Sequence, residues 1–97
     1  MNLRDLQTQL ATTYGHKDIA RGTAGTFMYF MEEVGELSEA LREPAAHDLP
    51  GEFADCVAWL TSLANTAGID LAAAVEMKYG HGCSRCGKSP CICDTKP

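Results

Sequence analysis

A chain of 97 residues holds one small domain at most, and 45% apolar content with a net charge of −5 describes a globular protein, not a disordered one. No run approaches the ~18 apolar residues that span a bilayer, and "MNLRDLQTQL" lacks an apolar signal core, so the expected location is cytoplasmic with no membrane partner. Residues 1–77 carry twelve Asp and Glu against four Lys and Arg, a balance of −8, which argues against a duplex nucleic-acid partner because that needs a basic footprint.

Leu3, Leu6, Leu10 and Tyr14 recur at three- and four-residue steps and predict an amphipathic helix that stops near Gly15. "GHKDIARGTAG" follows as an expected loop, with three glycines and little periodicity. A second helix is predicted to start between Thr23 and Thr26 and must end before Pro44. Its expected buried arc is Phe27, Phe30, Met31, Val34, Leu37 and Leu41. "EPAAHDLPG" has a length that joins antiparallel helices.

Asp48 is the predicted cap of a third helix, with Pro50 in its first turn and Gly68 just past its end. Phe53, Cys56, Val57, Leu60, Leu63 and Ala64 form its apolar arc. Asp70 then caps a short fourth helix, "LAAAVEMKY". No segment alternates at period two, so the expected fold is all-α. Three long helices and one short one make a thin bundle for a monomer. Completion of the core by oligomerisation, as a homodimer or homotetramer, is therefore expected.

The second helix crowds Glu32, Glu33 and Glu36 beside its apolar stripe, although like charges at such spacing repel. At about 100° per residue, Glu33 borders the apolar arc and Glu36 lies about 60° toward the polar side. On the third helix Glu52 and Asp55 repeat that arrangement. If the two helices pack antiparallel through their arcs, four carboxylates converge. A solvated face is the plain alternative for any single pair; two pairs matched in spacing and angle point to a site. Hard oxygen donors suit Mg²⁺ or Mn²⁺, and the absence of histidine from both pairs disfavours zinc there. Tyr29 and Trp59 sit one turn from the acids, where either could stack on a nucleobase or simply fill core.

The pattern Glu32-Glu33-x-x-Glu36 followed by Glu52-x-x-Asp55 resembles the MazG nucleotide pyrophosphohydrolase signature, with "EEVGELSEALRE" and "EFADCVAWLTSLANTAGIDLAAAVEMK" similar to that family over about residues 23–78. The resemblance implies an all-α oligomeric bundle related to dimeric dUTPases and phosphoribosyl-ATP pyrophosphatases. It implies hydrolysis of a nucleoside triphosphate to the monophosphate and pyrophosphate. It also implies Mg²⁺ ligation by Glu33, Glu36, Glu52 and Asp55, with Glu32 assisting a metal or the attacking water alongside Glu33. Lys78 matches a lysine that faces the phosphates, whereas Gly82 stands where relatives often carry Asn, so the substrate's identity stays open. A narrower deoxynucleotide or phosphoribosyl-ATP pyrophosphatase, a nucleotide sensor and a noncatalytic protein-binding module are the alternatives.

Residues 78–97 reverse the charge, with four Lys and Arg against Asp94, a balance of +3. "HGCSRCGKSPCICD" places Cys83 and Cys86 in a Cys-x-x-Cys-Gly knuckle ahead of Cys91 and Cys93. That spacing could close a tetrahedral zinc site, with His81 as a substitute ligand; a reduced, unordered tail or a disulfide is the alternative. The expected division is therefore a helical domain at 1–80 and a Cys-rich tail at 81–97. Cys56, on the apolar arc, is expected in the core.

Overall fold

A computed structural model describes residues 1–96. The chain forms α1 (Leu3–Arg42), a short 3-10 turn (Pro44–Ala46), α2 (Leu49–Ala67) and α3 (Leu71–Tyr79), and no strand forms among the described residues. The expected all-α class stands. Among the described residues, no helix is long and apolar enough to cross a membrane.

The start signals work locally. Asn2 accepts from the Asp5 backbone N–H at 2.8 Å while Asp5 reaches back, closing a capping box on α1. Asp48 caps α2 through the Gly51 N–H, and Asp70 caps α3 through the Ala73 N–H. A Cβ at Gly51 would fall 2.2 Å from the Asp48 carboxylate, so a larger residue there would displace the capping side chain. Gly68 closes α2 in the left-handed conformation, with φ +71°.

The predicted loop over residues 15–25 is not a loop. The helix continues past Gly15 and breaks only at Gly22, whose φ of 80° and ψ of 172° turn the chain sharply before helix resumes. Tertiary contact overrides the weak helix propensity of Gly15, which costs about 1 kcal/mol relative to alanine. Leu10 and Asp18 are buried. Gln7 fastens the arm 3–21 to the end of α2, accepting from the Asn65 side chain on its carbonyl and donating to the Ile69 carbonyl at 2.6 Å. Its side-chain oxygen also accepts from the Leu71 N–H at 3.0 Å. The Arg4–Asp70 ion pair ties α3 to the same arm.

The arm 23–42 runs antiparallel to α2. Contacts pair Thr23 with Thr66, Tyr29 with Trp59 and Glu33 with Cys56, numbers rising on one helix as they fall on the other. The seam between them is narrower than the predicted arcs. Thr26 and Ala40 are fully buried, and Phe30, Glu33 and Leu37 are half-buried on the same line. Phe27, Met31, Val34 and Leu41 face out, as do Phe53, Val57 and Leu60 of α2. The reason is geometric. A single partner helix covers only part of an apolar arc wider than 100°, so the rest of each arc is left over. Rotating away from the seam, these apolar stripes lie one way and Glu36 and Asp55 the other. Because the helices are antiparallel, the stripes share one face of the pair and the acids the opposite face.

Candidate functional site

On the acidic face, oxygens of Glu33, Glu36 and Glu52 lie within 4.8 Å of one another. The three-residue step in α1 presents Glu33 and Glu36 as neighbours, and the helix packing brings Glu52 across to meet them. Asp55, one turn further along α2, stands outside this tight group yet close enough for its charge to act on Glu33 and Glu52. Burial pushes the Glu33 carboxyl up to about 7, reinforced by Glu36, which also shares a hydrogen bond with it, and by Asp55 and Glu52. Glu52 is raised by burial, then by Glu36 and Asp55.

One oxygen of Glu33 and one of Glu52 are buried without a hydrogen-bond partner. Buried carboxylate oxygens left unpaired are costly, and a hard divalent cation held by these residues would offset that cost. The donor set, three to four carboxylates with no nitrogen or sulfur, fits Mg²⁺ or Mn²⁺. Beneath it, the Cys56 thiol donates to the Glu33 carbonyl at 3.4 Å, and burial beside four acids pushes that thiol up. Cys56 is thus half-buried, braced against the backbone that carries Glu33.

Next to the acids, the arm 3–21 and α2 enclose a cleft of ≈ 320 Å³ whose lining includes Tyr14, Lys17, Asp18, Arg21, Asp55 and Trp59. Arg21 is held from three sides. It donates to the Asp18 carboxylate at 3.0 Å, and its guanidinium lies 5.0 Å from the Trp59 ring centroid and 5.1 Å from that of Tyr29. The second Asp18 oxygen is buried and unpartnered. Tyr29 and Trp59 are stacked on each other at 5.3 Å, and of the two Trp59 lines the cleft. Acids beside a cleft lined by Lys17 and the held Arg21 suit a polyanion carried with divalent metal.

Residues 22–80, more than half of the chain, match the MazG nucleotide pyrophosphohydrolase domain. The chain belongs to that family. No curated protein sequence matches it. The family match holds both acid pairs and begins at the Gly22 break, so Tyr14, Lys17, Asp18 and Arg21 come from a segment outside it.

Sequence reasoning missed Lys17, Asp18 and Arg21 as cleft residues because it ended the first helix at Gly15, and it placed Tyr14 only on that helix's apolar stripe. The signal was present. Leu10, Tyr14, Lys17 and Arg21 continue the three- and four-residue steps, with polar residues replacing apolar ones where the stripe reaches the cleft. Glu32 is exposed and outside the tight acid group. Lys78 is exposed with its ammonium 5.7 Å from the Tyr79 ring, on a helix that packs against the start of α1. No ion pair joins it to the acid group among the described residues.

The C-terminal sulfurs of Cys83, Cys86, Cys91 and Cys93 form a second cluster. Main-chain N–H groups of Cys86 and Arg85 pull the Cys83 thiol down to about 6, and donors at Ile92 and Lys88 lower Cys86. Cys93, hydrogen-bonded to Cys91 and crowded by the others, is pushed up to about 12.

Proposed function

We propose that this protein hydrolyses nucleoside triphosphates to nucleoside monophosphate and pyrophosphate with Mg²⁺ held by Glu33, Glu36, Glu52 and Asp55. The observation that carries the reading is the meeting of three carboxylates, two with orphaned buried oxygens, at the edge of a cleft walled by Lys17 and Arg21. Bound there, Mg²⁺ would neutralise the polyphosphate and lower the pKa of a water for in-line attack. Mn²⁺ suits the same donors.

The chain's own groups do the rest by position. Lys17 and Arg21 face the cleft and draw the phosphates against the acids, which repel them unless metal is present. Glu33 must lose its proton to act as a ligand, and Glu32, beside it in sequence, is the candidate to orient the water. Trp59 offers its ring to the base, backed by Tyr29. Lys78 is the candidate on α3 to face the phosphates, from its own chain or from another subunit.

Oligomerisation belongs to the same reading. The exposed stripe Phe27, Met31, Val34, Phe53, Val57 and Leu60 is a contiguous apolar face opposite the acids, and a second copy of the chain is its proposed occupant, as a homodimer or homotetramer. The proposed domain division sets 1–80 apart from 81–97, supported by the end of the family match at residue 80. A cytoplasmic setting would keep the five free thiols reduced.

The test is pyrophosphate release from a panel of ribo- and deoxynucleoside triphosphates and phosphoribosyl-ATP, with mass in solution measured in parallel. Broad Mg²⁺-dependent release that disappears in E36A/D55A supports the reading. Release confined to deoxynucleotides or to phosphoribosyl-ATP narrows the substrate. Tight binding without release makes the protein a sensor, and neither binding nor release leaves the acids as surface decoration.

A further inference from the structure

The hydrolytic reading uses nothing beyond α3, yet four sulfurs converge in the segment that follows it. We propose that Cys83, Cys86, Cys91 and Cys93 hold one zinc ion as four thiolates in a closed, structural site.

Distance is the first argument. Four sulfurs placed about 2.3 Å from a common centre stand about 3.8 Å apart along the edges of a tetrahedron. The Cys83 and Cys93 sulfurs lie 3.8 Å apart, and all four fall within 4.8 Å of one another. A disulfide needs about 2.05 Å between sulfurs, and all five cysteines of the chain are free.

The backbone is arranged to serve sulfur. Gly87, at φ +70°, lets the chain turn tightly enough for its N–H to donate to the Cys83 carbonyl at 2.8 Å. Within that turn the Arg85 N–H donates to the Cys83 sulfur at 3.4 Å. The second pair repeats the device, with the Cys93 N–H donating to the Cys91 sulfur at 3.3 Å. Such outer donors orient thiolate ligands and spread their charge. The Cys83 N–H donates to the Lys88 carbonyl at 3.1 Å, which closes the knuckle.

Charge is the independent argument. A zinc ion with four thiolates carries a net −2, which would sit badly in an acidic chain. Residues 78–97 are the one basic stretch, with Lys78, Arg85, Lys88 and Lys96 against Asp94, a balance of +3. Arg85 also reaches across to the Lys96 carbonyl at 3.3 Å, tying the ends of the knuckle together. The reversal of charge at the end of α3 thus has a purpose: it offsets the tetrathiolate.

The segment has no core of its own. Ile92, its one large aliphatic side chain, is 69% exposed, so burial contributes little and the metal supplies the order. Four sulfurs complete a tetrahedral set without His81 and leave no position for water, which makes the site structural. Soft thiolates and hard carboxylates in one chain then sort two metals, zinc at the tail and Mg²⁺ at the acids.

The experiment uses the full chain purified without chelator from zinc-supplemented medium, with metals measured by elemental analysis and intact mass by native mass spectrometry. One zinc per chain is expected, and exchange with Co²⁺ should give the intense visible bands of a tetrahedral site with strong sulfur-to-metal absorption in the near ultraviolet. The C83S/C86S variant should lose the zinc while far-ultraviolet circular dichroism still reports the helices, and E36A/D55A should keep it. Metal-free protein, bound iron, a weak octahedral cobalt spectrum or zinc retained in C83S/C86S would each overturn the proposal. None of these readouts depends on hydrolysis.

Discussion

Glu33, Glu36 and Glu52 meet because two helices pack, whereas Cys83, Cys86, Cys91 and Cys93 meet within one short stretch of chain. The carboxylates are held by a seam running from Thr23–Thr66 to the acids, and burial already perturbs them. The thiols are held by turns and N–H···S contacts with almost nothing buried around them. Rigid helices can assemble oxygens that repel one another, since packing energy from elsewhere offsets the repulsion. A loop has no such reserve, so the proposed ion would have to supply the order of its ligands.

The largest expected effect breaks the two clusters apart. E36A/D55A should lower Mg²⁺-dependent pyrophosphate release by at least on the order of 100-fold, as removal of electrostatic stabilisation in an active site does. Zinc content should not change in that variant; if both fall together, the clusters are not independent.

A smaller effect concerns the cationic wall. R21A should raise KM by roughly 10-fold, about 1.4 kcal/mol, with a lesser effect on kcat, because Arg21 faces the cleft but not the acid group. Steady-state kinetics on the best triphosphate checks it. An unchanged KM would mean the phosphates lie elsewhere.

The raised Glu33 carboxyl sharpens the comparison through pH. Between the ordinary carboxylate value and about 7 the native chain binds a proton that the unfolded chain has lost. Without metal, stability should therefore fall as pH rises through that window and level off above it. Mg²⁺ must displace the same proton, so its affinity should rise with pH up to about 7 and then flatten. Thermal midpoints with EDTA at pH 5 and 8, and Mg²⁺ titration calorimetry at both, test the two slopes. Stability rising over this range would contradict the buried acid group.

A separate effect, read on stability alone, falls on the joint. G22A puts a side chain at φ 80° and ψ 172°, a region almost reserved for glycine, and should cost about 1–3 kcal/mol. Space is not the issue, since a Cβ there meets nothing within 4 Å. Chemical denaturation reads the loss, and zinc content should stay the same.

Caps, chain direction and acid spacing were legible in the sequence because each is a local rule. Asp48, Asp70 and Gly68 delimit their helices as expected, and the two acid pairs fall on matching edges of their arcs. The cysteine spacing was legible for the same reason. Tertiary structure alone decided the rest. It carried α1 through Gly15, because contacts of Gln7 and Asp18 outweigh a glycine's weak preference for helix. In doing so it delivered Lys17, Asp18 and Arg21 to a cleft beside Asp55. It also left Phe27, Val34, Phe53 and Leu60 uncovered, since periodicity reveals which face is apolar but not how much of that face one neighbouring helix can hide.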